Sequence, residues 1–453
     1  MKIDWIRRLG DRTVFPLGTM IWAVVVWVAL AALVYWINTF VAFTGNNILF
    51  PFSVIYPSAF LWSGPLFGVA FLALGLWAFK WYGRWNFYVL FAVALLLVFL
   101  GNMGQGNIDE ALLKPFYYKG RQYYADAVQI TDWRLWLKEF NGRLDEFQLH
   151  TRTHPPYITL LHYFFLWVFD GSILGLGLTF LALSAFSFPL VNGVMKNFSI
   201  PTERRKLLLL LFAVIPSVNI YLMVSIDALV LTSSLLVFYG VSRVSAARRM
   251  DWVSLSCMVS GLLLTNLMTF SGLFLFAFLG LFSLVQCWYR RYEVLWASVI
   301  SGVGCLLGLV LVSYGTGSNW LTTFFEASHS ENPNGFMLFY SPRIYFFTRL
   351  EDICEILFFL SFPFVSYLFS PVRYGRLYSD SAVNGFSFSA FAVLLLMFLT
   401  GAYGTGETAR ACLYIVPFFL LFLKQLKQSS LEVLFGWCLL QTFAMQLIGN
   451  YYW

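Results

Sequence analysis

A carboxylate, two imidazoles and a guanidinium share one polar stretch of this chain, a combination suited to moving a proton and steadying an anion. Tyr123-Tyr124-Ala-Asp126-Ala is followed, after a short amphipathic stretch, by His150-Thr-Arg152-Thr-His154-Pro-Pro156. A positioned carboxylate can take a proton from a hydroxyl, a role worth roughly 10²- to 10⁴-fold in rate. Arginine suits a departing phosphate because its planar donors bind two oxygens while staying charged. Asp126 is the first candidate base, and Asp109 and Glu110 are alternates that would otherwise simply end the preceding helix. Tyr123 and Tyr124 offer rings for stacking on a substrate or for anchoring at an interface. Arg152 and His154 are candidates for holding a phosphate, or for fixing the loop by interfacial hydrogen bonds. His150 and His154 have the i, i+4 spacing of metal ligands, but Pro155 and Pro156 bias His154 away from helical geometry, so no metal site is assigned. The carboxylates leave room for a weakly held divalent ion, and no other cofactor is called for.

Three further segments carry groups of the same kind. Ser225-Ile-Asp227 opens an apolar run, where Asp227 serves either as a helix-start charge or as a substrate ligand. Gly406-Glu407-Thr-Ala-Arg410 stands at the mouth of another run. Its acid and base could merely pair as i, i+3 neighbours, worth about 0.2 to 0.5 kcal/mol. An ionised side chain near lipid costs more than that and usually marks a site, so Arg410 is the preferred phosphate ligand. The stretch 315–352 holds His329, Glu331, Asn332, Arg343, Arg349, Glu351 and Asp352, the composition of a mobile lid or of an ordinary loop, with Arg343 and Arg349 as secondary phosphate candidates.

These groups must be positioned by a membrane. The 453 residues are 60% hydrophobic, 20% aromatic and only 11% charged. Apolar runs recur near 17–41, 56–79, 85–103, 173–194, 207–222, 227–241, 252–267, 270–286, 294–314, 353–370, 386–403, 411–423 and 431–448, so about 13 transmembrane helices are expected. The first run is too long for a signal-peptide core and reads as a retained anchor. The run 157–169 is too short to span and reads as a surface or half-inserted helix. One all-α integral-membrane domain, 1–453, is expected, with a first large outer loop at 102–156 and a second at 315–352. Within the first loop Trp133, Trp136, Leu137 and Phe140 share one helical face, as in helices that lie along the bilayer surface.

With the amino terminus inside, about 19 of the 29 basic residues fall in cytoplasmic loops and most acids fall outside. The net charge of +7 thus reports topology; the basic residues are spread over many short loops, and nucleic-acid binding is not implied. The six cysteines lie in or beside apolar runs without CxxC spacing, which excludes a zinc ribbon and a disulfide framework. Gly304-Cys-Leu-Leu-Gly308 reads as a close helix contact.

The order Tyr123-Tyr-Ala-Asp126, Thr151-Arg-Thr-His154-Pro-Pro156, Ser225-Ile-Asp227-Ala-Leu and Gly406-Glu-Thr-Ala-Arg410 with Pro417 resembles the GT-C glycosyltransferases, polytopic enzymes that use polyprenyl-phosphate sugars, such as protein mannosyltransferases and lipid A aminoarabinose transferases. The chain departs from many members near Gly120, where they carry an Asp-Glu pair, and at His154, where they carry Lys. The resemblance implies an inverting transferase acting outside a plasma membrane, with a bacterial inner membrane as the natural setting. Its donor would be a polyprenyl-phosphate sugar and its acceptor a glycan, glycolipid or protein. The competing expectation is a transporter or flippase of a lipid-linked glycan, which would place ionisable residues inside the spans and break paired helices.

Overall fold

The helix Thr202–Val214 is apolar on every side after its first turn, and such a helix must be surrounded by others. Leu207 through Val214 are all at most 2% exposed, packed among Ser187–Asn197, Phe87–Met103 and Gln428–Ile448. Pro216 cannot continue the hydrogen-bond ladder, so the run turns into a separate helix, Pro216–Tyr221. This computed structural model describes residues 10–41, 51–52, 56–58, 60–118, 123–370, 381–403 and 406–451. The basic positions Lys2, Arg7, Arg8, Arg373 and Arg376, and Gly120, lie outside the described residues.

The second central element is Ile226–Ala247, whose closest partner is Trp252–Met268. Small residues set that distance. A Cβ on Gly261 would stand 2.6 Å from the Ser233 carbonyl oxygen, and the hydroxyls of Ser233 and Thr265 hydrogen-bond at 2.7 Å. Gly304 and Gly308 of Tyr292–Thr316 lie against Val259 and Leu263 on the other side of the same helix, the close contact their spacing suggests.

Among the described residues, eight helices are long and apolar enough to cross a bilayer, or nine if Pro342–Leu360 and Phe362–Phe369 form one broken span. The protein is an all-α, multi-pass membrane protein by this measure. The other expected spans fall on shorter or interrupted helices: Phe87–Met103, the pair broken at Pro216, Trp252–Met268, the pair at 342–369 and Leu413–Gln425. A helix of 17 residues is about 26 Å long, just under the roughly 30 Å of a hydrocarbon core, which is why hydropathy alone counts it as a span. The only strands described are the two-residue pair Tyr56–Pro57 and Gly449–Asn450.

The two ends of the bundle differ in chemistry. At one end Lys206 donates to the Gly83 carbonyl at 2.9 Å, Lys424 donates to the Phe198 carbonyl at 2.8 Å, and Arg204 donates to the Lys424 carbonyl, gathering three basic loops. At the other lies the first large loop, built from single-turn and short helices as its amphipathic pattern predicts. Ile130, Trp136, Leu137, Phe140 and Leu144 form its own small core, although Trp133 is 40% exposed and not part of it. Pro156–Val168, the expected half-inserted helix, is 13 residues long and ends at Asp170 and Gly171, both with positive φ.

In one place the element boundary moves. The second loop ends at Ser341, and Pro342–Leu360 is a continuous helix bent by 109° from Phe362–Phe369. Arg349, Glu351 and Asp352 lower the hydropathy of its first half, so the sequence pattern starts the span about ten residues late. Those groups are buried and only partly satisfied by protein partners, with Arg349 Nε and Glu351 Oε1 left without a hydrogen bond.

Candidate functional site

Asp227 is placed by its own helix start. Ser225, the N-cap of Ile226–Ala247, accepts the Asp227 N–H at 2.9 Å and donates its hydroxyl to Asp227 Oδ2 at 2.7 Å. The same Oδ2 lies 3.3 Å from Arg410 Nε, and Arg410 Nη2 lies 3.2 Å from Glu407 Oε2. Arg410 therefore forks across two carboxylates from different parts of the chain, with only 12% of its side chain exposed. Desolvation makes such contacts stronger than surface pairs, and makes the loss of one partner costly.

The first loop supplies the facing wall. Tyr123, 3% exposed at the start of Tyr123–Ala127, has its ring centroid 5.4 Å from His162, 5.6 Å from His154 and 5.8 Å from His150. Burial first, then the charge of Asp227, hold its hydroxyl protonated well above the ordinary tyrosine range; Arg410 opposes and Glu407 reinforces this. His154 Nδ1 is 3.1 Å from the His150 carbonyl oxygen. Burial, with His150 beside it, pulls the His154 imidazole down to about 4, although Asp227 and Glu407 act to raise it. At neutral pH His154 is thus an uncharged ring that can donate or accept, and Arg410 is the cation of the cluster. At the end of Trp320–Glu331, Glu331 interacts electrostatically with Glu407 and with Arg152, bringing the second loop to the same mouth. Thr323 also bonds Asn141, and the Tyr157 hydroxyl bonds Thr316, so the two loops are tied directly.

Asp126 lies one turn beyond Tyr123 and is 5% exposed. Its Oδ2 accepts the Gln148 N–H at 3.0 Å and its carboxylate also takes a hydrogen bond from Thr151. Burial lifts the carboxyl above the ordinary aspartate range, against the lowering effect of those two bonds. It lines a cleft of about 120 Å³ with Gln129, Trp136, Glu139, Arg143 and Phe147, a lining that includes none of Tyr123, His154, Asp227, Glu407 and Arg410. Asp126 therefore both ties the 123–127 helix to the 148–151 segment and offers a carboxylate with raised proton affinity.

Other candidates stand apart. Asp109 accepts from the Tyr117 hydroxyl at 2.8 Å, and Glu110 pairs with Lys114 one turn on. Tyr124 is half-buried against the main core. Arg343 is exposed at the start of Pro342–Leu360. Arg349 points inward: its guanidinium donates to the carbonyls of Phe398, Ala402 and Tyr403 at 2.8, 2.6 and 2.8 Å and pairs with Asp352 at 3.1 Å. Its Nη1 and Nη2 donors are engaged by backbone and carboxylate while Nε has no partner, and the reason for this inward placement is that residues 342–352 form helix and not loop.

The sequence pattern placed Glu351 and Asp352 in a loop and did not single out Glu355. Glu351, Asp352 and Glu355 are each 0% exposed inside Pro342–Leu360. Their i, i+1, i+4 spacing on an otherwise apolar helix was the available signal, since three carboxylates on one face require buried partners. Among the described residues, no group of three or more His, Cys, Asp or Glu is placed to hold a metal ion. In comparisons with known protein families, curated proteins and solved structures, the chain matches none.

Proposed function

We propose that this chain is an inverting glycosyltransferase of the GT-C kind, moving a sugar from a polyprenyl-phosphate donor to an extracytoplasmic glycan, glycolipid or protein. The observation that carries the reading is the meeting of Tyr123, His154, Asp227, Glu407 and Arg410, from separate segments, at the end of the bundle away from the clustered basic loops. In the proposed reaction the acceptor hydroxyl loses its proton to Asp126 as its oxygen attacks the anomeric carbon. The bond from that carbon to the phosphate oxygen breaks, and the electron pair leaves with the polyprenyl phosphate, whose charge Arg410 stabilises. A single displacement of this type inverts the anomeric centre, by the logic that governs glycosidases.

For Arg410 to receive a phosphate it must exchange one carboxylate. Glu407 is the one to leave, because its side chain is 32% exposed against 14% for Asp227 and returns to water at lower cost. Asp227 then stays to orient the guanidinium. The setting is a plasma membrane, such as a bacterial inner membrane, with the amino terminus cytoplasmic.

One observation favours a second reading, transport or flipping of a lipid-linked glycan. Pro342–Leu360 and Phe362–Phe369 form a sharply bent pair carrying buried carboxylates, the pattern of broken helices in transporters. Mass spectrometry of glycolipids and envelope glycans with and without the protein separates the two. The enzyme reading expects a prenyl-phosphate sugar to accumulate while one glycan linkage disappears. An unchanged pool together with altered flux of a solute or lipid-linked glycan would replace it with transport.

A further inference from the structure

Three fully buried carboxylates and one guanidinium inside a helix need a reason, since each desolvated charge costs several kcal/mol unless it is paired. Here the partners lie in one place. Glu351 Oε2 accepts the Gly406 N–H at 3.3 Å, Glu355 Oε2 accepts the Thr408 N–H at 3.2 Å, and Asp352 Oδ1 accepts the Thr408 hydroxyl. Arg349 meanwhile holds the carbonyls of Phe398, Ala402 and Tyr403 and pairs with Asp352. Every one of these bonds to backbone or hydroxyl ends on the two stretches, 398–403 and 406–408, that lead into Glu407 and Arg410. Gly406 sits at φ 83, a conformation that leaves its N–H aimed at the helix and that a side chain would oppose.

We propose that Arg349, Glu351, Asp352 and Glu355 are positioning residues, a buried brace that holds the stretches 398–403 and 406–410 so that the Arg410 guanidinium meets Asp227 and is aimed at the phosphate of the donor. The inference rests on the reading of Arg410 as the phosphate ligand. It also assigns the buried charges of the bent helix to holding a loop, and not to carrying an ion through the membrane. Supporting hydrogen bonds of this kind keep a recognition group within about 0.5 Å of its working place.

The brace is tested at Thr408, which touches no substrate in this reading. Full-length protein is placed in phosphatidylcholine nanodiscs, and the dissociation constant for undecaprenyl monophosphate is measured by native mass spectrometry. Thr408→Val removes the hydroxyl bond to Asp352 while keeping the N–H to Glu355, and Thr408→Ser keeps both. The brace predicts that Thr408→Val weakens binding at least tenfold, that Thr408→Ser restores it to within twofold of the native value, and that Arg410→Gln abolishes it. If Arg410→Gln abolishes binding while Thr408→Val binds as tightly as native, the brace is overturned and the phosphate reading stands. If Arg410→Gln binds like native, the phosphate reading itself fails. Should Thr408→Val be recovered in low yield, Asp352→Asn provides the second variant. Weakened binding by its folded fraction supports the brace, and native binding overturns it.

Discussion

The Asp126 carboxylate is held by Gln148 and Thr151 in a place where burial raises its proton affinity, so two demands meet on one residue. An asparagine there keeps an oxygen for the Gln148 N–H and removes the cost of ionising a buried acid. Asp126→Asn is therefore expected to leave the thermal unfolding temperature unchanged or raised, and to lower transfer by about 10²- to 10⁴-fold, checked by differential scanning fluorimetry beside a glycan assay. A matching loss of protein abundance and of activity would assign Asp126 to folding alone. His154 allows a test through pH. Its folded value of about 4 lies below the ordinary histidine value of 6.5, so the unfolded chain binds more protons in between. Stability from this group is complete above pH 6.5 and is lost as pH falls toward 4. The unfolding temperature of native protein should fall across that window, and the fall should shrink in His154→Asn; an identical pH profile in the variant would contradict the assignment. At Arg410, Glu407→Gln should tighten undecaprenyl monophosphate binding severalfold, since it weakens the group that phosphate must displace.

At the level of elements, much of the scaffold was legible. The apolar runs, the helix start at Ser225 and Asp227 and the contact of Gly304 and Gly308 follow from local chemistry that a sequence displays, whereas the break at Pro216 lies inside a run, 207–222, that hydropathy reads as one span. The short amphipathic helices of the first loop were readable from the spacing of Trp136, Leu137 and Phe140, whereas Trp133 on the same face stays exposed because the loop core is small. The start of Pro342–Leu360 was not readable, because hydropathy counts Glu351, Asp352 and Glu355 against a helix in the membrane and cannot see the Gly406 and Thr408 groups that hydrogen-bond them. The association of Asp227 with Arg410 was likewise invisible as a contact, since nothing local in either segment names the other. Close packing of elements gives a further expectation. A methyl on Gly261 would press on the Ser233 carbonyl at 2.6 Å, so Gly261→Ala should destabilise by about 1 to 3 kcal/mol, seen as a lower unfolding temperature in detergent. A variant as stable as native would mean that Ile226–Ala247 and Trp252–Met268 can separate freely.

Across the whole molecule, charge and polarity are sorted by end. Basic loops bond one another at one end, and the acid, imidazole and guanidinium groups of the proposed reaction meet at the other, where two loops are tied by Thr323 to Asn141 and Tyr157 to Thr316. A lipid-borne donor would reach such a mouth laterally from the bilayer, and a polar acceptor would reach it from water. The most direct measurement is mass spectrometry of prenyl-phosphate sugars in cells whose only copy of the protein carries Arg410→Gln at native abundance. The account predicts accumulation of the same prenyl-phosphate sugar that builds up when the protein is absent, with the same glycan linkage lost. A donor pool and glycan profile identical to those of cells with the native protein would contradict it.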